Sequence, residues 1–365
     1  MMVLLFRYVA IPDKVFSKRD FNKKNIKYFT IMRIINALML LSAVGLGFTA
    51  CSSDDDTPVD GKAMRFNVTV PRAPRAATTT QSINQFNLYS FVDGAEYMSN
   101  VTVTRNGTEW EASPAMYWPG DGQAVDFYCI SPMVGTETVT DTSVPNIKDY
   151  VNTDGTTDLL YAVTRGAKAN PVKINFRHAL AKLAFNFKRR EASSSQAPLR
   201  VEVKGVTVTD VNSTASFTYP SETTAAGGEA VGIWSAQSMP KDAVIYQNAT
   251  TVLTDNYMNI NSTDYMFAIP QAIAQSEADK SGAYVKVLCA VYDEASGVRI
   301  WPRGASEDYL YFPLNSPGAS NVTTSWEAGK AYAYNITIGV PAGTGKIEFD
   351  ITVDEYPAFE DMYLE

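Results

Sequence analysis

Met64, Phe66, Val68 and Val70 alternate with Arg65, Asn67 and Thr69, the period-two pattern of a strand with one buried and one wet face. The same alternation, or a short apolar run, recurs at 86–92, 101–104, 124–130, 172–176, 183–187, 199–209, 265–269, 284–292, 309–312, 332–338 and 346–353. Turn-forming clusters separate the runs, among them Arg105-Asn106-Gly107, Pro119-Gly120-Asp121-Gly122, Ala225-Ala226-Gly227-Gly228 and Ala295-Ser296-Gly297. Many short strands, polar turns and no long amphipathic helix predict an all-β protein built of antiparallel sandwiches. The stretch His178-Ala179-Leu180-Ala181-Lys182-Leu183 is the one ambiguous patch, because its spacing also fits a helical turn. It reads as the crossing between an N-terminal sandwich at 64–180 and a C-terminal sandwich at 181–365.

Residues 1–50 break this pattern. They carry eight of the 31 basic residues and only two of the 39 acids. From Met32 the order is Met32-Arg33, an apolar run from Ile34 to Phe48, then Thr49-Ala50-Cys51, which is the layout of a signal peptide. The apolar run is short of the ~20 residues that span a bilayer, so a retained anchor is the weaker reading. Residues 1–31 then stand upstream of the usual start of such a leader, as a mis-assigned translation start would leave them. Without the leader the chain has 23 basic and 37 acidic residues, a formal charge of −14. Such acidity opposes a nucleic-acid surface, which needs clustered Lys and Arg, and it favours solubility outside a cell.

Candidate chemistry is sparse. His178 is the only histidine, so any Ser-His-Asp relay would have to pass through it, and a lone histidine is more often a packed, hydrogen-bonded residue. Cys129 and Cys289 sit in strand-like runs of different halves and read as buried free thiols; no CxxC or Cys/His metal spacing occurs. Gly343-Thr344-Gly345-Lys346 lacks both the upstream glycine spacing and the Ser or Thr of a phosphate loop. The acidic clusters Asp54-Asp55-Asp56 and Asp354-Glu355 read as solvated charge. No pair of carboxylates is nominated by pattern, so the expectation is a protein without catalysis, cofactor or metal. Trp110, Tyr117-Trp118, Trp234, Trp301 and Trp326 leave sugar stacking open, although aromatics beside turns more often cap a sandwich core.

Cys51 after Phe48-Thr49-Ala50 resembles a bacterial lipobox, with Phe48 where leucine is usual, and 51–63 follows as a Ser/Asp-rich tether. That resemblance implies acylation of Cys51, palmitate included, and anchoring to an outer membrane by several chains, where one would be marginal.

Several segments together resemble the fimbrillin-like family of pilus and surface-adhesin subunits of anaerobic Gram-negative bacteria. They are Tyr117-Trp118-Pro119 with Val125-Asp126-Phe127-Tyr128, Asp158-Leu159-Leu160-Tyr161-Ala162, the run Val172 to Leu183, Met266-Phe267-Ala268-Ile269-Pro270-Gln271, and Trp326 to Ile336. The resemblance implies two tandem transthyretin-like sandwiches, export as a lipoprotein to the cell surface, and assembly of type V pili by strand exchange. In that scheme an Arg-specific protease removes the first strand, and a C-terminal strand of a neighbouring subunit takes its place.

This sequence holds the corresponding parts. Arg72 and Arg75 lie in Pro71-Arg72-Ala73-Pro74-Arg75-Ala76-Ala77-Thr78-Thr79-Thr80, a segment unable to continue a central ladder. An ordinary loop with two arginines reads equally well. Loss of the first strand would uncover a groove under Met64, Phe66, Val68 and Val70. Ile347, Phe349, Ile351 and Val353 form a C-terminal strand that either closes its own sandwich or is donated. A subunit without a donor strand would cap the pilus as a tip adhesin with a host or glycan ligand. The rival reading is a monomeric glycan-binding outer-membrane lipoprotein.

Overall fold

The computed structural model describes residues 63–69, 83–133, 146–153, 155–225, 230–235, 237, 240–261, 265–316, 323–340 and, as backbone, 349–355. Cys51, Val70, Arg72, Arg75 and Ile347 lie outside the described residues. The first half contains β1 (Phe66–Thr69), β2 (Gln85–Val92), β3 (Ala95–Asn106), β4 (Glu109–Ser113), β5 (Val125–Ser131), β6 (Asn146–Val151), β7 (Leu160–Ala167), β8 (Val172–Asn175) and β9 (Arg177–His178). The second half contains β10 (Ala181–Arg189), β11 (Leu199–Val211), β12 (Thr214–Thr218), β13 (Ile233–Ser235), β14 (Lys241–Tyr246), β15 (Thr251–Val252), β16 (Met258–Asn259) and β17 (Met266–Ala268). It continues with β18 (Gln271–Ala272), β19 (Tyr284–Asp293), β20 (Arg299–Trp301), β21 (Asp308–Pro313), β22 (Ser325–Trp326), β23 (Lys330–Ile338) and β24 (Phe349–Glu355). The all-β expectation holds, and no helix occurs among the described residues.

The first large sheet has the antiparallel order β4-β3-β2-β5-β7-β9. Its β2–β3 hairpin turns on Asp93-Gly94, both at positive φ (49° and 78°), which suits a tight two-residue turn. One face of the sheet packs Phe86, Leu88, Val103, Phe127 and Ala162 against Phe66 of β1, Val172 and Ile174 of β8, and Phe176. The opposite face buries Tyr89, Phe91, Tyr128, Ile130, Tyr161 and Val163 under Ile147 of β6 and Phe217 of β12, with Trp234 of β13 half-buried beside them. Burial on both faces explains why β2, β5 and β7 are nearly continuous apolar runs rather than strict alternations.

The second half forms two large sheets, β16-β10-β23-β24 with β17 on β10, and β14-β11-β19-β20 with β15 on β11 and β21 on β19, and a small one, β18-β22. Phe185, Phe187, Tyr334 and Ile336 of the former share one core with Val201, Val203, Val285, Val287, Cys289 and Phe312 of the latter. Phe185 and Tyr334 stack with centroids 5.2 Å apart, and buried Trp326 donates its Nε1–H to Tyr334 Oη at 2.7 Å.

Residues 178–183 are strand on both sides of a short break at Ala179-Leu180, not a helical turn. Ala181, Leu183, Phe185 and Phe187 all point into the second core, and β10 is hydrogen-bonded along its length to β23. That pairing outweighs any helical preference of a six-residue stretch. The two halves also interlock beyond this crossing. β12 and β13, although encoded after residue 181, join β6 in a three-stranded sheet that covers the first half.

Phe217 is fully buried between Tyr161, Tyr219 and Trp234, with ring centroids at 4.8–5.4 Å. Phe217→Ala is expected to lower unfolding free energy by about 3–5 kcal/mol. Ile233→Ser on the neighbouring strand, where Ile233 is 66% exposed, should stay within about 0.5 kcal/mol of the parent. Urea denaturation of the two variants checks the contrast.

Candidate functional site

β1 and β8 form a two-stranded sheet of their own against the first core. β1 runs parallel to β8, with Phe66 opposite Val172, Asn67 opposite Lys173, Val68 opposite Ile174 and Thr69 opposite Asn175. Val172 N donates to Arg65 O at 2.8 Å, and Phe176 N donates to Thr69 O at 3.1 Å. On the other side Met64 N donates to Met116 O at 2.7 Å, and Ala63 bridges Tyr117. Asn170 closes the entry to this slot. Its Oδ1 accepts from Arg65 N (2.8 Å) and Trp118 Nε1 (3.2 Å), and its Nδ2 donates to Ala63 O (3.0 Å).

The side chains make the slot a hydrophobic groove. Met64 and Phe66 are 5% and 6% exposed, and Val68 is half-buried against the same core. Phe66 presents its ring edge-to-face to Phe86 (6.3 Å) and Phe127 (6.2 Å), the preferred geometry for aromatic pairs. Phe86 in turn packs on Trp110 and Phe176, and Phe127 on Trp118. At about 1.5–3 kcal/mol per fully buried apolar side chain, Met64 and Phe66 alone contribute about 3–6 kcal/mol. That is comparable to the marginal stability of a whole domain.

The other edge of β8 is occupied by side chains rather than by a strand. Thr164 Oγ1 donates to Lys173 O at 2.5 Å, and Thr224 Oγ1 donates to Asn175 O at 2.6 Å. Met116, Trp118 and Asn170 were not singled out as groove residues from the sequence. Only the Tyr117-Trp118-Pro119 segment gave a signal.

The remaining candidates fall elsewhere. His178 Nδ1 lies 2.5 Å from Asp158 Oδ2, with both side chains about nine-tenths buried where the first half meets the second. Backbone bonds knit the same place: Ala179 N to Leu159 O, Gly329 N to Leu180 O, and Phe267 N to Gly155 O. Four of the segments that carry the family resemblance therefore converge on this junction.

Among the tryptophans, Trp110, Trp118 and Trp326 are buried in cores. Trp234 is half-buried and donates to Ala179 O, and Trp301 is half-buried. The tryptophans contribute to packing, whereas Tyr117, the remaining aromatic of that set, is 51% exposed. Among the described residues no cluster of His, Cys, Asp or Glu is placed to hold a metal ion.

Cys129 and Cys289 are free and buried. Burial drives the Cys129 thiol well above its usual pKa, and burial aided by Asp308 pushes Cys289 up to about 12. β24 lies antiparallel on β23, placing Phe349 opposite Ile336, Ile351 opposite Tyr334 and Val353 opposite Tyr332.

A family model described as fimbrillin-like matches residues 72–355. Among solved structures, a fimbrial protein from Bacteroides vulgatus aligns with TM-score 0.52 at 13% identity, covering 81% of this chain and 99% of that one. A candidate cell adhesion protein from Parabacteroides distasonis aligns with TM-score 0.49 at 12% identity, covering 82% and 98%. Another from Bacteroides uniformis aligns with TM-score 0.46 at 16% identity, covering 81% and 98%. No curated protein matches.

Two expectations follow from this geometry. Phe66→Ala should cost about 3–5 kcal/mol and Asn170→Ala about 1–3 kcal/mol, both read by chemical denaturation. Because a thiol reacts as the thiolate, native protein at pH 8 should leave Cys129 and Cys289 unlabelled by iodoacetamide, and unfolded protein should label at both, as peptide mass spectrometry would register.

Proposed function

Because the chain belongs to the fimbrillin-like family, we propose that it is a structural and adhesive subunit of cell-surface pili. It reaches the surface as a lipoprotein acylated at Cys51 and is anchored to the outer membrane before assembly. An Arg-specific protease then cuts after Arg72 or Arg75, β1 leaves, and a strand from another pilus subunit fills the groove. At the end of a pilus the same chain acts as a tip adhesin. The body consists of two sandwiches centred on the first and second cores, and it performs no catalysis.

The observation that carries this reading is β1 itself. With Met64 just before it, it supplies two buried anchors to the first core, and the sequence that follows it holds both arginines. Once cut there, β1 is retained by noncovalent contacts alone. Its departure would expose the Phe86–Phe127 aromatic floor and one backbone edge of β8, and both losses drive capture of a replacement strand. Strand addition of this kind restores ladder bonds and side-chain burial together.

The test is limited digestion of the chain from Cys51 with an Arg-specific protease. A new N-terminus at Ala73 or Ala76, followed by a ladder of oligomers on native electrophoresis, is the expected result. Cut protein that releases β1 and stays monomeric at high concentration would sink the reading.

A further inference from the structure

β8 begins at Val172, directly after Pro171, and proline carries no N–H to extend a ladder. The backbone bonding of β8 to the first strand starts with Val172 N donating to Arg65 O. Upstream of that bond the side chain of Asn170 takes over. A carboxamide offers the donor and acceptor of a peptide group, and this one accepts from Arg65 N (2.8 Å) and donates to Ala63 O (3.0 Å). It grips the peptide groups on both sides of Met64 and so continues the ladder one step further than the chain can.

Met64 is held from its other edge as well. Its N–H donates to Met116 O at 2.7 Å, and its side chain is buried in the core. Asn170 is itself braced. Buried Trp118, whose ring stands edge-to-face on Phe127, donates its Nε1–H to the same Oδ1 at 3.2 Å. Turning the amide over would set two donors against an NH2 group and an oxygen against a carbonyl, so all three bonds would fail together. Among the described contacts the end of β1 nearer the arginines is held more lightly. Thr69 O accepts from Phe176 N at 3.1 Å, and Val68 is half-buried.

We propose that Asn170 is a latch for the first strand, a positioning residue that sets how long β1 stays in its slot once the chain is cut. The inference rests on the strand-replacement reading above and adds what controls it. A cut after Arg72 or Arg75 frees the lightly held end of β1 and leaves the clamped end in place. Cleavage and departure then become separate steps, and the second waits on the two bonds from Asn170 to Ala63 and Arg65. Because those bonds go to backbone groups, the latch is indifferent to the side chains of the strand it holds.

Peptide exchange tests it. The chain from Cys51, with a site-specific protease sequence inserted within residues 71–82, is cut and mixed with excess fluorescent peptide of residues 60–70. Uptake of the peptide in place of the cut strand, followed by a chase with unlabelled peptide, gives release rates by anisotropy and native mass spectrometry. The Asn170→Ala body should release the peptide at least about tenfold faster than the parent body. A second peptide, methylated on the Arg65 nitrogen, lacks the N–H that donates to Asn170 Oδ1. It should leave the parent body at least about tenfold faster than the unmodified peptide, and the two peptides should leave the Asn170→Ala body at similar rates.

Release from the Asn170→Ala body at the parent rate would overturn the latch. Two effects that simply add would overturn it too, because Asn170 would then act through the shape of the body and not through its bond to the strand. Should the variant fail to fold, the methylated peptide on the parent body carries the test alone, and an unchanged release rate overturns the proposal. Strand replacement is read separately. A cut chain that sheds β1 at the expected rates and stays monomeric overturns that reading and leaves the latch standing.

Discussion

The fold depends on a parallel pairing between two strands that are far apart in sequence. Adjacent antiparallel strands can be joined by a two-residue hairpin, but parallel partners need a long connection. Arg65 and its hydrogen-bond partner Asn170 are 105 residues apart. Five of the six strands of the first sheet, all but β9, lie in that connection. Two strong anchors, Met64 and Phe66, hold β1 in the core by burial, beside its ladder to β8.

The rest of the first half has a second set of packing contacts that does not involve β1. The large sheet is buried on both faces, and the face away from β1 is sealed by β6, β12 and β13 through Phe217, Tyr161 and Trp234. Two of its three strands, β12 and β13, are encoded after the crossing at Ala179-Leu180, so the later part of the chain braces the earlier one. The Asp158–His178 contact and the Gly329–Leu180 backbone bond add polar ties at the same junction. On the β8 side, Thr164 and Thr224 occupy carbonyls of the far edge, so β1 is its one strand neighbour in that sheet.

Half-exposed strands were legible in the sequence because alternation reports a wet face and a dry face. The runs at 101–104, 199–209, 284–292 and 332–338 all correspond to strands, although β11 extends to Val211 and carries a bulge beside Gly205. β7 showed little alternation because Leu160 to Thr164 are buried on both sides. β12, β13 and β14 are short or mixed in polarity, and only tertiary cover defines them. The groove was half legible. Met64 and Phe66 announced a buried face, but nothing local identifies Val172 and Ile174 as their neighbours across so long a separation, or marks Asn170 as the side chain that pins the strand's start.

The second half contains the same device in a locked form. β10 runs parallel to β23 as β1 runs parallel to β8, and Leu183, Phe185 and Phe187 occupy its buried face. β10, however, continues from β9 across only Ala179-Leu180, and its other edge is bonded to β16 and β17. It is held at its start by the chain and on both edges by ladders, whereas β1 pairs with β8 in a two-stranded sheet and owes its place to the burial of Met64 and Phe66.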